Sequence, residues 1–196
     1  MAMETTLTAL PIFPSILYHC EIPVPKDLIN FSLNLAKKDE GLNHSNYGGW
    51  HSSYSLGTDK KFKEKYLDKV GESITQKIDF PYFSFNGCWL NVNGKGHFNK
   101  PHNHPTSDYA LVWFIKTPEN CGHLELQHPQ AYTEGKIHNF FTQKDHDMYS
   151  TYPVMYLHPK EGHCFLFPSH IQHWVLPNES DEIRISMAAN IIIHNK

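Results

Sequence analysis

The chain has 196 residues, enough for one domain whose core needs neither a disulfide framework nor a structural metal. A formal charge of -3, with lysines scattered along the sequence, excludes a basic nucleic-acid groove or a polybasic membrane patch and leaves a small molecule or a peptide as the expected partner. Cys20, Cys88, Cys121 and Cys164 form no CxxC pair, which excludes a zinc ribbon or a thioredoxin-like motif, and they read as reduced thiols.

Met1 to Cys20 is fairly apolar but lacks a basic start and contains Glu4, Pro11 and Pro14. It reads as neither a signal peptide nor a membrane span, and the expected location is cytoplasmic. Lys26 to Lys38 is predicted as a helix with Pro25 near its start, where proline is tolerated. Asp59 to Ile78 is a clearer helix, because Phe62, Tyr66, Val70, Ile74 and Ile78 make one apolar stripe that should pack on a sheet. From Phe83 onward the pattern changes to short apolar or alternating runs between turn residues. These are Cys88 to Asn93, Tyr109 to Lys116, His123 to Gln127, Val154 to Leu157, His163 to Phe167, His173 to Val175 and Glu182 to Ile193. The polar, aromatic stretch Gln130 to Pro153 has no clear period and reads as an active-site lid or an insertion. The expected organisation is one mainly β (α+β) domain over residues 1–196, helical to about 80 and strand-rich from about 81. A barrel or sandwich with a helical buttress fits that order.

The chemistry begins at His102-Asn103-His104-Pro105. On an extended segment residues i and i+2 share a face, so both imidazoles can converge on one metal; two exposed turn histidines is the plainer reading. His173, between apolar residues in Phe167 to Val175, would alone pass for a satisfied core histidine. Arg184 and Ser186 share one face of a strand whose other face carries Ile183, Ile185 and Met187. An arginine turned into a barrel is costly without an anion, although an edge ion pair with Asp181 or Glu182 would also account for it. The order raises all of these signals together: HxH, about seventy residues of strands, a histidine, then an arginine after ten intervening residues. They supply a facial metal site with open positions and a guanidinium fork for a carboxylate.

With these motifs the chain resembles the 2-oxoglutarate/iron(II) oxygenase superfamily, in a branch carrying HxHP where prolyl hydroxylases carry HxD. The resemblance runs through Gly48-Gly49-Trp50-His51-Ser52, Trp89 to Asn93 with Gly96, His102 to Pro105, Gly162 with Phe167-Pro168-Ser169, His173, and Arg184-Ile185-Ser186 with Asn190. It implies a double-stranded β-helix, the jelly-roll of cupin-like proteins, buttressed by the N-terminal helices. It further implies Fe(II) held by His102 and His173, with 2-oxoglutarate bound at its distal carboxylate by Arg184 and Ser186. Oxidation of a substrate by O2, usually a hydroxylation, would be coupled to decarboxylation of the cosubstrate to succinate.

His104 stands where the family usually has a carboxylate. Either it completes an all-histidine triad, favoured by the i, i+2 geometry, or it turns aside and Asp108 or water takes the position. A three-histidine site could also hold zinc for a hydratase or hydrolase, but such an enzyme needs no dicarboxylate clamp. A catalytically silent cupin-like module that binds a metal or a dicarboxylate is the third reading, and the sequence is compatible with either a monomer or a homodimer. Asn91 is a further candidate for the cofactor, and Trp50, His51 and Trp113 are candidates for the substrate.

Overall fold

The computed structural model describes residues 14–76, 78, 82–130 and 140–194. The expectation for the N-terminal run up to residue 13, and that for 131–139 of the lid, lie outside them. Eleven strands are found among the described residues. They are β1 (Tyr18–Glu21), β2 (Asn46–Tyr47), β3 (Trp50–His51), β4 (Phe83–Asn93), β5 (Phe98–His102), β6 (Tyr109–Lys116), β7 (Leu124–Gln127), β8 (Val154–Leu157), β9 (His163–Pro168), β10 (His173–Val175) and β11 (Arg184–Ile193). The major sheet runs β1-β9-β6-β11-β4-β3 and the minor sheet β2-β5-β10-β7-β8. From β4 to β11 the chain passes between the two sheets in the order of a jelly-roll, the double-stranded β-helix expected from the sequence.

The long apolar strands are buried on both faces, so their residues divide between two cores. Leu90, Val92, Leu111, Trp113, Ile115, Ile185, Met187 and Ile191 face the helices, while Trp89, Ala110, Val112, Phe114, Phe165, Phe167 and Ala188 face the minor sheet, against Leu124 and Leu126. By the two-residue alternation of a strand, Asn91 and Asn93 share the inward face with Trp89, and Arg184, Ser186 and Asn190 share it with Ala188. This inward face positions the site.

Helix α1 (Lys26–Ala36) and a second helical run buttress the outer face of the major sheet. The second run is α2 (Lys60–Phe62), a π-helical turn (Lys63–Leu67) and α3 (Asp68–Thr75), opened by the Asp59 side chain accepting from the Phe62 N–H at 2.8 Å. Phe62, Tyr66, Val70 and Ile74 are all buried, as their spacing predicts. A strict four-residue spacing drifts by roughly 40° per step around a 3.6-residue helix. The π turn, with its wider i→i+5 loop, takes back part of that drift. Within the expected lid, residues 143–149 form α4 (Gln143–Tyr149), started by a capping box between Thr142 and Asp145.

The sequence pattern did not reveal β5. Its pairing with β10 matches His173 to His102 and Val175 to Asn99, so β5 spends three residues where β10 spends two. The resulting bulge lets both Asn99 and His102 turn inward and leaves Lys100 and Pro101 exposed. Pro101, which cannot donate to a ladder, is tolerated there for that reason. No helix among the described residues is long and apolar enough to cross a membrane.

Candidate metal centre

The bulge at the end of β5 delivers His102 inward, the next inward position is His104 just beyond the strand, and His173 opens β10 directly opposite His102. Ring centroids lie 4.3 Å apart for His102 and His173, 5.1 Å for His102 and His104, and 5.1 Å for His104 and His173. One ligating nitrogen from each falls within 4.8 Å of the others, the one such group of three among the described residues.

Two of the rings are oriented by backbone carbonyls. His102 Nδ1 donates to Lys100 O at 2.7 Å and His173 Nδ1 to Ile171 O at 3.0 Å. This hydrogen bond fixes the tautomer and leaves Nε2 with its lone pair for a metal. His104 is placed by its backbone, whose N–H donates to Ser169 O at 2.9 Å, and its ring touches Trp89. Burial, reinforced by the neighbouring imidazoles, pushes His104 down to about 4 and His173 to about 3, and burial also lowers His102. All three are therefore neutral near pH 7, the form a metal requires. Asp108, the alternative third ligand, is engaged elsewhere. Its Oδ2 accepts from the Ile193 N–H at 2.7 Å, and its backbone bonds to Ile191 and Ser169.

Arg184 is 2% exposed and lies on the inward face. Its Nη1 donates to Cys121 O and, at 3.0 Å, to Leu176 O. With its amide oxygen turned to the guanidinium, Asn93 accepts from Nη2 at 2.7 Å. Three of the five N–H donors are thereby engaged, leaving Nε–H and one Nη2–H as a fork. Neither Asp181 nor Glu182 takes it, since they pair with Lys95 and Lys116, and no carboxylate among the described residues faces it. Burial lowers Arg184 to about 10, so it remains a cation. Leu176 lies three residues past His173, roughly 10 Å along the chain at about 3.3 Å per residue. A buried cation with two free donors that far from a histidine cluster suits a small diacid that chelates at one end and is clamped at the other.

The remaining candidates divide by face. Ser186 sits across β11 and β4 from Asn91, whose Nδ2 approaches Ser186 Oγ at 3.5 Å. The amide oxygens of Asn91 and Asn190 are both buried without a partner. The row of cross-strand neighbours continues to His51 on β3, which is buried and stacked on Trp89 at 5.5 Å. Trp50 and Trp113 do not lie on the inward face. Trp113 is 1% exposed in the helix-facing core and donates to Ile22 O at 3.2 Å, and Trp50 packs against that same core and donates to Asp39 O at 2.8 Å. Phe114, one residue on from Trp113, faces inward opposite Ser186. The Lys100 carbonyl, part of the site's support, carried no signal in the sequence, because a backbone acceptor leaves no pattern.

Residues 87–190, just over half of the chain, match the protein family described as "Putative 2OG-Fe(II) oxygenase". No curated protein sequence matches. Among solved structures, an oxidoreductase of the 2OG-Fe(II) oxygenase family from Burkholderia pseudomallei is 16% identical over 72% of this chain with a TM-score of 0.44, and the chain spans only 55% of its length. A prolyl-4-hydroxylase from Pseudomonas putida is 14% identical, with 91% of this chain and 93% of that chain covered and a TM-score of 0.58. The non-heme alpha ketoglutarate dependent epimerase SnoN of nogalamycin biosynthesis is 12% identical, with 90% and 76% covered and a TM-score of 0.63. At these identities the latter two likenesses speak to the fold.

Proposed function

The chain belongs to the 2OG-Fe(II) oxygenase family, whose cofactors are Fe(II), 2-oxoglutarate and O2, and from that premise we propose that it is a dioxygenase that hydroxylates a small molecule, a free amino acid or a peptide side chain. One observation carries the assignment to particular residues: three imidazoles converge on one another, and Arg184 lies on the same inward face as a buried cation that no carboxylate of the described residues faces.

His102, His104 and His173 would hold the iron, and Arg184 with Ser186 would hold the distal carboxylate of 2-oxoglutarate. When bound, the iron and the cosubstrate supply the oxidising chemistry, converting 2-oxoglutarate to succinate and carbon dioxide. The chain's own part is positional. The Lys100 and Ile171 carbonyls keep two Nε2 lone pairs aimed at a single point. The carbonyls of Cys121 and Leu176 with Asn93 hold the guanidinium still, so the fork is set before the diacid arrives. Trp89, Val112, Phe114 and Phe167 exclude water from the inward face.

Asn91 remains a candidate for the cosubstrate through its Nδ2, which approaches Ser186 Oγ at 3.5 Å, while its amide oxygen is a partnerless acceptor. An all-histidine triad also leaves Fe(II) with its full double charge, which 2-oxoglutarate neutralises. A zinc hydratase or hydrolase would have no use for Arg184, and a silent module would bind without turnover.

The experiment is anaerobic calorimetry of Fe(II) and then 2-oxoglutarate binding, followed by succinate release in air. Tight, metal-dependent 2-oxoglutarate binding with turnover supports the oxygenase. Binding without succinate release, in the presence of candidate substrates as well as without them, identifies the silent module, and metal binding without 2-oxoglutarate binding returns the zinc reading.

A further inference from the structure

We propose that His51 and Asn91 form a paired acceptor subsite that selects a neutral substrate by its N–H or O–H donors, an amide above all; this rests on the oxygenase reading of the histidine centre. The two residues are partners in the β3–β4 pairing, so their side chains stand side by side, about 5 Å apart at Cβ. Both are more than nine-tenths buried. His51 Nδ1 donates to Ser52 O at 2.6 Å, which makes the far nitrogen, Nε2, an acceptor. No partner for it is found among the described residues. The Asn91 amide oxygen is likewise buried and partnerless.

A buried acceptor is unfavourable unless a ligand brings a donor to it, and the Asn91 amide oxygen is in that position beside the His51 Nε2 acceptor. The cosubstrate is a dianion with acceptors only, so it cannot satisfy them. The subsite adjoins the metal centre, since the His51 ring stacks on Trp89 at an interplanar angle of 12° and Trp89 in turn touches His104. On its outer side Tyr54 meets both His51 and Trp89 edge-on, at 5.3 and 5.0 Å, and the exposed His44 lies 5.4 Å from His51. The wall is thus aromatic and runs from the surface to His104. Among the described residues, the rings that contact one another in this wall bring no Asp, Glu, Lys or Arg to balance a charged ligand. A neutral amide meets both requirements, because its N–H groups can reach the acceptors while its flat face lies on the rings.

Three matched sets of probes test this: N-acetyl amino-acid methylamides, which carry donors and are neutral; the corresponding N,N-dimethylamides, which lack the C-terminal donor; and the free amino acids, which are charged. In histidine-labelled, metal-free protein, methylamides should move the His51 Nε2 nitrogen resonance further than the other two sets do. In the Fe(II)-loaded enzyme with 2-oxoglutarate, methylamides should accelerate succinate release. His51→Phe keeps the stack on Trp89 and should raise their KM by about tenfold, with kcat changed less, and His51→Gln, which restores an acceptor, should recover part of the loss. The proposal is overturned if dimethylamides or free amino acids act as well as methylamides, if methylamides leave the His51 resonance unmoved, or if His51→Phe leaves KM unchanged. The resonance measurement is made without metal or cosubstrate, so its failure is separate from a failure of 2-oxoglutarate to bind.

Discussion

His173 stands directly across from His102 in the antiparallel pairing of β10 with β5, their ring centroids 4.3 Å apart. The pairing register, rather than any loop, brings together two histidines that are about seventy residues apart in sequence. A site built on strands is held more rigidly than one built on loops. His104 differs in being placed by the bond from its backbone N–H to Ser169 O just after the strand ends.

The first expectation follows from that difference. His102→Ala and His173→Ala should each abolish stoichiometric iron binding and turnover, because two remaining ligands cannot close a facial site. His104→Asp should keep the metal, since the position then carries the usual carboxylate. Metal content after anaerobic loading, with circular dichroism to confirm the fold, decides this. Loss of metal in His104→Asp equal to that in His173→Ala would show that the position needs an imidazole.

The second concerns pH. His51 and His104 are pushed down to about 4, His173 to about 3, and His102 is also lowered, burial being the largest cause in each. Below their ordinary value of 6.5 the unfolded chain therefore binds more protons than the folded one. The stability these rings contribute is fully present above about pH 6.5 and is lost progressively as the pH falls toward 3. Thermal unfolding of metal-free protein should show a Tm nearly level from pH 8 to 7 and falling below 6. His51→Phe should flatten part of that slope, and an unaltered pH profile in this variant would mean that His51 does not stay neutral in the fold.

Much of this architecture was readable in the residues. The stripe from Phe62 to Ile74 and the apolar runs of β4, β6, β9 and β11 carry their own periodicity, and HxH, His173 and Arg184 stand out by residue type. What escaped had no pattern to read. β5 is Phe98-Asn99-Lys100-Pro101-His102, where a bulge breaks the alternation and a proline argues against a strand. β2 and β3 are two residues each. Trp113 lies in the helix-facing core and not on the inward face, and because Tyr109 to Lys116 is apolar on both sides, nothing in the run distinguishes it from Phe114 until the helices pack against one of them.

That correction is itself testable. Trp113→Phe should cost about 0.5–1.5 kcal/mol through loss of the hydrogen bond to Ile22 O, and Trp113→Ala about 3–5 kcal/mol through the cavity it leaves. Neither should change the affinity for 2-oxoglutarate at a temperature where the variant is folded. Denaturant unfolding gives the first quantity and calorimetry the second, and a selective fall in affinity would return Trp113 to the site.

Arg184→Ala removes a charged bidentate contact, and 2-oxoglutarate affinity should drop by about ten- to a hundredfold, the equivalent of about 1.5–3 kcal/mol. The substitution also strips the carbonyls of Cys121 and Leu176 of their donor, so stability should fall as well. Iron binding distinguishes a local from a global effect, because His102, His104 and His173 do not touch the arginine and should load normally. Unchanged 2-oxoglutarate affinity would leave the arginine as a purely structural cation.

Gly122 offers an independent approach to the same clamp. Its φ is +78°, and a Cβ there would fall 2.4 Å from Leu176 O, 2.6 Å from Pro177 O and 2.9 Å from Arg184 Nη1. The first two are backbone atoms that cannot swing aside, and Leu176 O is one of the two carbonyls that hold the guanidinium. Gly122→Ala should therefore cost about 1–3 kcal/mol of strain and displace the fork. If Arg184 binds the diacid, this variant should show weakened 2-oxoglutarate binding with iron affinity intact, although no atom of residue 122 need touch the ligand. Calorimetry on the iron-loaded variant, below its own unfolding temperature, makes the measurement. A loss of stability with full 2-oxoglutarate affinity would mean that the position of Arg184 is immaterial to the cosubstrate, and the clamp would then have to be sought among other inward-facing residues.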